Sequence, residues 1–149
     1  MKILILGVTG MLGNAVFRVF NGDAAHQTWG TLRSGSALRH FPERCHPQLL
    51  VGVDVLDQDA LTAVMAKVRP DVVINCVGLI KQLADAKDPL TALPINAMLP
   101  HRLARLCALA GARLIHVSTD CVFSGRKGLY QETDLSDAED LYGKSKYIG

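Results

Sequence analysis

The chain has 149 residues, the length of one domain. Hydrophobic residues make up 49% and charged residues 20%, an ordinary globular balance with ample apolar material for a core. The 16 basic and 14 acidic residues leave a formal net charge of +2, and the basic residues are scattered, so nothing points to a nucleic acid or another polyanion as partner.

The first element is a continuous apolar run, KILILG over 2–7, of strand length. Lys2 followed by ILIL imitates a signal peptide, but the run breaks at Gly7, Thr9 and Gly10 and no convincing small-residue cleavage site follows. MLGNAVFRVF (11–20) has helix spacing, with Leu12, Val16, Val19 and Phe20 on one side. HQTWGTLR (26–33) reads as a second strand, and the polar stretch from Ser34 to Pro47 as a long connection. LLVGVDV (49–55) reads as a third strand. Asp57 can cap a helix running to about Val68, where Pro70 enforces a break. DVVINCV (71–77) is a fourth strand. A long helical segment runs from about Pro89 to Ala110, divided or kinked at Pro94 and Pro100. ARLIHVST (112–119) is a fifth strand, and a polar loop runs from Asp120 to about Asp137. Ser136 and Glu139 have capping-box spacing for a last helix.

Strands that are apolar throughout are buried on both faces. Alternating with helices, they predict an α/β fold: a doubly wound parallel sheet of Rossmann type, in the order 3-2-1-4-5. No stretch approaches the ~18 apolar residues of a membrane span. Cys45, Cys76, Cys107 and Cys121 stand far apart without a CxxC pair, which reads as reduced thiols in a cytoplasmic protein. No histidine has ligand spacing, so no metal is expected. His101 and His116 are expected in or beside core elements, and His26, His40 and His46 on loops.

GVTGMLG places glycines at 7, 10 and 13 between the first strand and the first helix. A dinucleotide fold needs backbone N–H groups and a positive helix end there, facing a pyrophosphate. Gly7 permits the tight turn, Gly10 a close backbone approach, and Gly13 close packing of helix on sheet; Met11 and Leu12 open that helix. The residue after the second strand reads the adenosine ribose. An acid there selects NAD(H), but no Asp or Glu lies between Asp23 and Glu43. Arg33 and Ser34 occupy the place, and an arginine pairs with a 2′-phosphate, so NADP(H) is favoured over NAD(H).

Near the end stand Tyr142 and Lys146, four apart and therefore on one helix face. A ketone that accepts hydride gathers negative charge on oxygen and needs a proton donor. A tyrosine with an ammonium beside it suits that task, because the cation favours phenolate. Thr119, at the end of the fifth strand, stands where open α/β sheets bind ligands and can hydrogen-bond the carbonyl oxygen. Taken singly, threonines end strands and tyrosines cover helices. The ordered set behind a glycine loop is what points to catalysis.

GxxGxxG with YxxxK resembles the extended short-chain dehydrogenase/reductase superfamily. STDCVFSG (118–125) and YGKSK (142–146) are similar to the corresponding segments of dTDP-4-dehydrorhamnose reductases and related nucleotide-sugar reductases. VDVLD (53–57) resembles the family stretch that places Asp54, with Val55, near adenine. NCVG (75–78) resembles the segment in which Cys76, Val77 and Gly78 line the cofactor. PINAMLP (94–100) carries Asn96, where the family has an asparagine. The resemblance implies catalytic roles for Thr119, Tyr142 and Lys146, with Tyr142 and Lys146 also touching the nicotinamide end of the cofactor. It implies reduction of a 4-keto sugar nucleotide within polysaccharide precursor synthesis. Nucleotide-sugar epimerisation is the alternative in the same superfamily. The regulatory β subunit of methionine adenosyltransferase, which has a similar fold, offers a non-catalytic alternative. Dehydration is disfavoured, since Thr-Asp is followed by Cys121 and not by glutamate. Cys121 reads as buried filler where relatives carry an aromatic residue. Relatives continue past the lysine, so residues 1–149 are expected to be the cofactor-binding front of a longer enzyme. That enzyme would be a homodimer when full length. The substrate domain would lie beyond Gly149, and 1–149 alone would be inactive.

Overall fold

A computed structural model describes residues 1–81 and 87–149. Five parallel strands form one sheet: β1 (Lys2–Leu6), β2 (Gln27–Leu32), β3 (Leu49–Val51), β4 (Val72–Asn75) and β5 (Arg113–His116). Their order is β3-β2-β1-β4-β5, as expected of a doubly wound sheet of Rossmann type. β1 is central, with Ile3 opposite Thr28 on one side and Val72 on the other. A central strand has both faces covered, which is why Ile3 to Leu6 are all apolar and all buried. The chain winds outward from β1 to β3 and then crosses back to β4. The carboxyl ends of β1 and β4 therefore form the switch point at which sheets of this class bind ligands.

The chain divides into two compact units, residues 1–77 with 103–117, and residues 78–102 with 118–149. The sheet belongs to the first. Its helices are α1 (Met11–Asn21) and α2 (Gln58–Val68). Phe17 of α1 is fully buried among Ile3, Ile5, Val8 and Ile74 and meets Phe41 edge-on, with ring centroids 5.7 Å apart. Truncating such an aromatic to alanine costs about 3–5 kcal/mol. α2 starts where Asp57 Oδ1 accepts from the N–H groups of Asp59 and Ala60, and stops at Arg69 before Pro70.

In the second unit, α3 (Pro89–Ala92) passes through a π-helical turn (Leu93–Met98) into the start of α4 (Leu99–Ala110), whose residues from 103 onward belong to the first unit. Asp88 caps α3, accepting from Leu90 N–H at 3.0 Å and from the Thr91 hydroxyl at 2.6 Å. α5 (Leu141–Ile148) packs against α3, the π turn and a short 3₁₀ turn at Asp120–Val122. The segment between that turn and α5 is organised by its own side chains. Phe123 stacks on Tyr130 at 4.4 Å, and Asp137 accepts from Ser124 N–H at 2.7 Å, Ser124 Oγ at 2.6 Å and Tyr130 OH at 2.8 Å.

Several local expectations are corrected. The third strand ends at Val51 and not at residue 55, because Gly52 turns to φ +80° and takes the chain out of the sheet. The fifth strand covers Arg113–His116 and not 112–119, so Thr119 lies beyond it. The connection from Ser34 to Pro47 contains two 3₁₀ turns, Gly35–His40 and Glu43–Gln48. On α1 the buried face is Gly13 and Phe17, with Val16 and Phe20 partly covered, while Leu12 and Val19 are exposed. Pro94 and Pro100 divide nothing: the helix absorbs the first with a π turn. Ser136 is no cap, since its hydroxyl donates to the Val122 carbonyl at 2.6 Å and α5 is capped by Asp140. His101 stands on α4 beside the buried Leu99, with its own side chain exposed, and reaches the Ile148 carbonyl through Nε2 at 2.8 Å. Among the described residues, no helix is long and apolar enough to cross a membrane.

Candidate functional site

The glycine loop belongs to the first unit. Gly7 ends β1 at φ +83°, and a Cβ there would stand 2.8 Å from Val77 Cγ2. The N–H of Gly10 returns to the Gly7 carbonyl at 3.1 Å, closing the turn, and Gly7 N–H is held by Thr31 Oγ1 at 3.2 Å. A Cβ on Gly13 would be driven into the Gly7 carbonyl oxygen. Only glycine lets α1 start this close to the strand. Gly10 occupies the N-cap position of α1 without a side-chain cap, and the first turn carries no acidic residue. Met11 and Leu12 are exposed there. Bare N–H groups at a positive helix end form a cradle that suits a diphosphate.

Other expected cofactor residues of this unit surround the carboxyl ends of the strands. Arg33 follows β2 and is exposed, and Ser34 caps the next 3₁₀ turn by accepting from Ser36 N–H at 3.3 Å. After β3, Asp54 is exposed and accepts from Leu56 N–H at 2.9 Å, while Val55 is buried. After β4, Val77 N–H donates to Asn75 Oδ1 at 3.1 Å, which fixes the direction of the chain leaving the sheet. Cys76 is half-buried, and burial pushes its thiol above the ordinary range.

In the second unit α5 carries Tyr142 and Lys146. Tyr142 is half-buried and Lys146 is 7% exposed, which pulls the Lys146 ammonium below the usual lysine range. The helix is held from below by Asn96 of the π turn. Its Nδ2 donates to Ser145 Oγ at 3.2 Å and to the Leu79 carbonyl at 3.0 Å, and its Oδ1 accepts from Leu79 N–H at 2.8 Å. Ser145 Oγ in turn donates to the Tyr142 carbonyl at 2.8 Å. One buried amide thus ties Leu79 to the Tyr142 turn.

Thr119 is turned toward its own backbone. Its Oγ1 accepts from Cys121 N–H at 3.2 Å and donates to Asp120 Oδ1 at 3.3 Å, capping the 3₁₀ turn. Cys121 is half-buried and lines a cavity of about 300 Å³ with Lys81, Phe123, Ser124, Arg126 and Asp140. Sequence reasoning did not reach Lys81, Asp140 or Ser145. Asp140 was legible as the polar residue before LYGK, but the capping-box spacing of Ser136 and Glu139 competed with it. Lys81 carried no local signal. Among the described residues no cluster of His, Cys, Asp or Glu could hold a metal ion.

The family described as the RmlD substrate binding domain matches residues 1–149. Methionine adenosyltransferase 2 subunit beta of Danio rerio is 33% identical, covering 99% of this chain and 42% of that protein. A hypothetical dTDP-4-dehydrorhamnose reductase from Sulfolobus tokodaii is similar in structure, with a TM-score of 0.83 and 28% identity, over all of this chain and 50% of that one. The dTDP-4-dehydrorhamnose reductase of Bacillus anthracis, crystallised in complex with NADP, has a TM-score of 0.77 and 25% identity, over 99% of this chain and 46% of that one. The chain therefore spans about half the length of the relatives it matches. A glycine-loop sheet unit, a YxxxK helix and a family match from first residue to last agree with one another: the chain belongs to the RmlD substrate-binding-domain family of the extended short-chain dehydrogenase/reductases.

Proposed function

We propose that this chain is the cofactor-binding part of a nicotinamide-dependent reductase acting on a 4-keto sugar nucleotide. The observation that carries the reading is the glycine cradle, where Gly7 and Gly13 leave no room for a Cβ and α1 presents uncapped N–H groups. The residues present fit a dinucleotide. Gly7, Gly10, Met11, Leu12 and Gly13 would hold its diphosphate. Arg33 and Ser34 would take a ribose 2′-phosphate, which favours NADP(H). Asp54 and Val55 would flank adenine, and Cys76, Val77 and Gly78 would line the nearer half. When bound, the reduced cofactor supplies a hydride.

The chain's own contribution to the chemistry is acid–base. Tyr142 Oη donates a proton to the oxygen of the carbonyl being reduced and recovers it from solvent. Lys146, one turn along the same helix, keeps a cation beside the phenol and would also touch the cofactor ribose. Thr119 Oγ1 holds the carbonyl oxygen once its bond to Asp120 is released. Asn96 supports Tyr142 from behind through Ser145.

The relation to methionine adenosyltransferase 2 subunit beta favours a second reading, a nucleotide-binding subunit without turnover. Replacing Tyr142 by phenylalanine in the full-length protein decides between them. Under the reductase reading, NADPH oxidation with dTDP-4-keto-sugars falls ~10²–10⁴-fold while NADPH affinity is kept. Absence of turnover in the full-length parent across a panel of keto-sugar nucleotides, with NADPH still bound, would establish the subunit reading.

A further inference from the structure

Beside Tyr142 lies an ion pair that the chemistry above does not use. Lys81 Nζ stands 2.6 Å from Asp140 Oδ2, and both residues are near half exposure. The other oxygen of Asp140, Oδ1, accepts from Gly143 N–H at 2.7 Å and so caps α5, and Lys144 N–H closes onto the Asp140 carbonyl at 3.1 Å. One carboxylate thus does two things at once. It starts the helix whose second residue is Tyr142, and it receives a cation from the segment that follows β4. That same segment is bonded, two residues earlier at Leu79, to Asn96. The Tyr142 turn is consequently gripped at two points: from below by Asn96 through Ser145, and at its N-terminus by Lys81 through Asp140.

We infer that Lys81 and Asp140 form a positioning clamp that sets the first turn of the Tyr142 helix, and with it the direction of the Tyr142 phenol; this rests on the reading of Tyr142 as proton donor. Geometry favours a positioning role over an anion site, because Lys81 is matched by Asp140 and its cavity neighbour Arg126 is bridged to Glu139 at 2.7 Å. Two cations already paired with two carboxylates leave the cavity without net charge for an anion. Electrostatics agree with the geometry. The hydrogen bond to Asp140 raises the Lys81 ammonium above its usual range, with smaller contributions from Cys121 and Tyr142, and Asp140 is held low by Gly143 N–H and then by Lys81. Exposed pairs contribute little to global stability, so the effect is local and Tm should hardly move.

The test uses Lys81→Met, Asp140→Asn, their combination and Lys81→Arg. Asparagine keeps an oxygen for Gly143 N–H and removes only the charge, so a lost cap cannot be mistaken for a lost pair. Amide exchange at Gly143 and Lys144 should quicken several-fold in each single variant, no further in the double, and return in Lys81→Arg. Exchange at parent rates in Lys81→Met, or additive effects in the double variant, overturns the clamp. In the turnover assay on the full-length protein Lys81→Met should lower kcat several-fold with the KM for NADPH unchanged, and should lower nothing further in the Tyr142→Phe background. An additional loss in that background overturns action through Tyr142. A full-length parent without turnover would remove the reductase reading, while the exchange measurements would still decide whether the clamp exists.

Discussion

Asn96 and Ser145 are joined by a hydrogen bond of 3.2 Å between two side chains that are 1% and 0% exposed. A buried polar pair is tolerated only when each member is satisfied. Here the Asn96 amide has three partners, and the Ser145 hydroxyl both accepts and donates. The geometry needs a side chain with a donor and an acceptor on one plane, aimed at both groups of the Leu79 peptide. The π turn supplies the aim, since an extra residue in the helical turn rotates Asn96 off the ordinary ladder.

Replacing Asn96 by leucine should therefore be costly. The branched shape is kept, but Leu79 N–H and C=O lose their partner inside the protein. Each orphaned group costs about 1–3 kcal/mol, so a loss of roughly 2–6 kcal/mol is expected in urea unfolding. Asn96→Asp should fall between, because it can still accept from Leu79 N–H. A leucine variant as stable as the parent would mean that the segment after β4 is not held by this amide.

Gly13→Ala tests the cradle. Its Cβ would collide with the Gly7 carbonyl, which is backbone and cannot swing aside. The variant should shift α1 from the strand, lose NADPH binding in a fluorescence titration, and lose about 1–3 kcal/mol of stability. Gly10→Ala meets the same carbonyl oxygen only at an ordinary 3.5 Å, so its stability should stay near the parent's. Equal stability losses in the two variants would show that close packing is not why residue 13 is glycine.

Cofactor choice should rest on Arg33. With no acid in the stretch from β2 into the following turn, nothing there recognises a free 2′-hydroxyl. Arg33→Ala should weaken NADPH binding about tenfold or more and leave NADH binding nearly unchanged. If both cofactors bind the two proteins equally well, Arg33 is an ordinary surface arginine.

The sheet was legible because its signal is strong and local. Runs such as KILIL and VVIN tolerate burial on both faces, and alternation with helices admits few orders. The strand ends were less legible. VGVDV continues the β pattern, but the Gly52 turn that ends β3 depends on backbone geometry that the apolar count ignores. On α1, Leu12 and Val19 satisfied a helical spacing, yet Gly13 and Phe17 face the sheet, since only glycine can pass Gly7 that closely. YxxxK and the glycine loop stood out as patterns within a few residues. The supports of Tyr142 did not, because Lys81, Leu79 and Asn96 meet α5 only through the fold. No spacing rule pairs a lysine after one strand with the cap of a distant helix.

Acid should loosen the segment before α5. Asp137 is held at about 2, chiefly by the Ser124 hydroxyl, then by Ser124 N–H and the Tyr130 phenol. A carboxylate depressed in the folded state stabilises it above its unfolded value, near 3.8, and that contribution is lost as pH falls through about 2. Near-UV circular dichroism should report the loosening of the Phe123–Tyr130 stack between about pH 4 and about pH 2. The neighbouring Asp134 is also held low, but chiefly by Lys127, an exposed ion pair that salt screens. High salt should therefore leave the transition in place if hydrogen bonds to Asp137 cause it, and shift it if Lys127 does. In Asp137→Asn the acid transition should disappear, because the amide cannot titrate. A transition at the same pH in that variant would assign the effect to Asp134 and leave Asp137 as a passive acceptor.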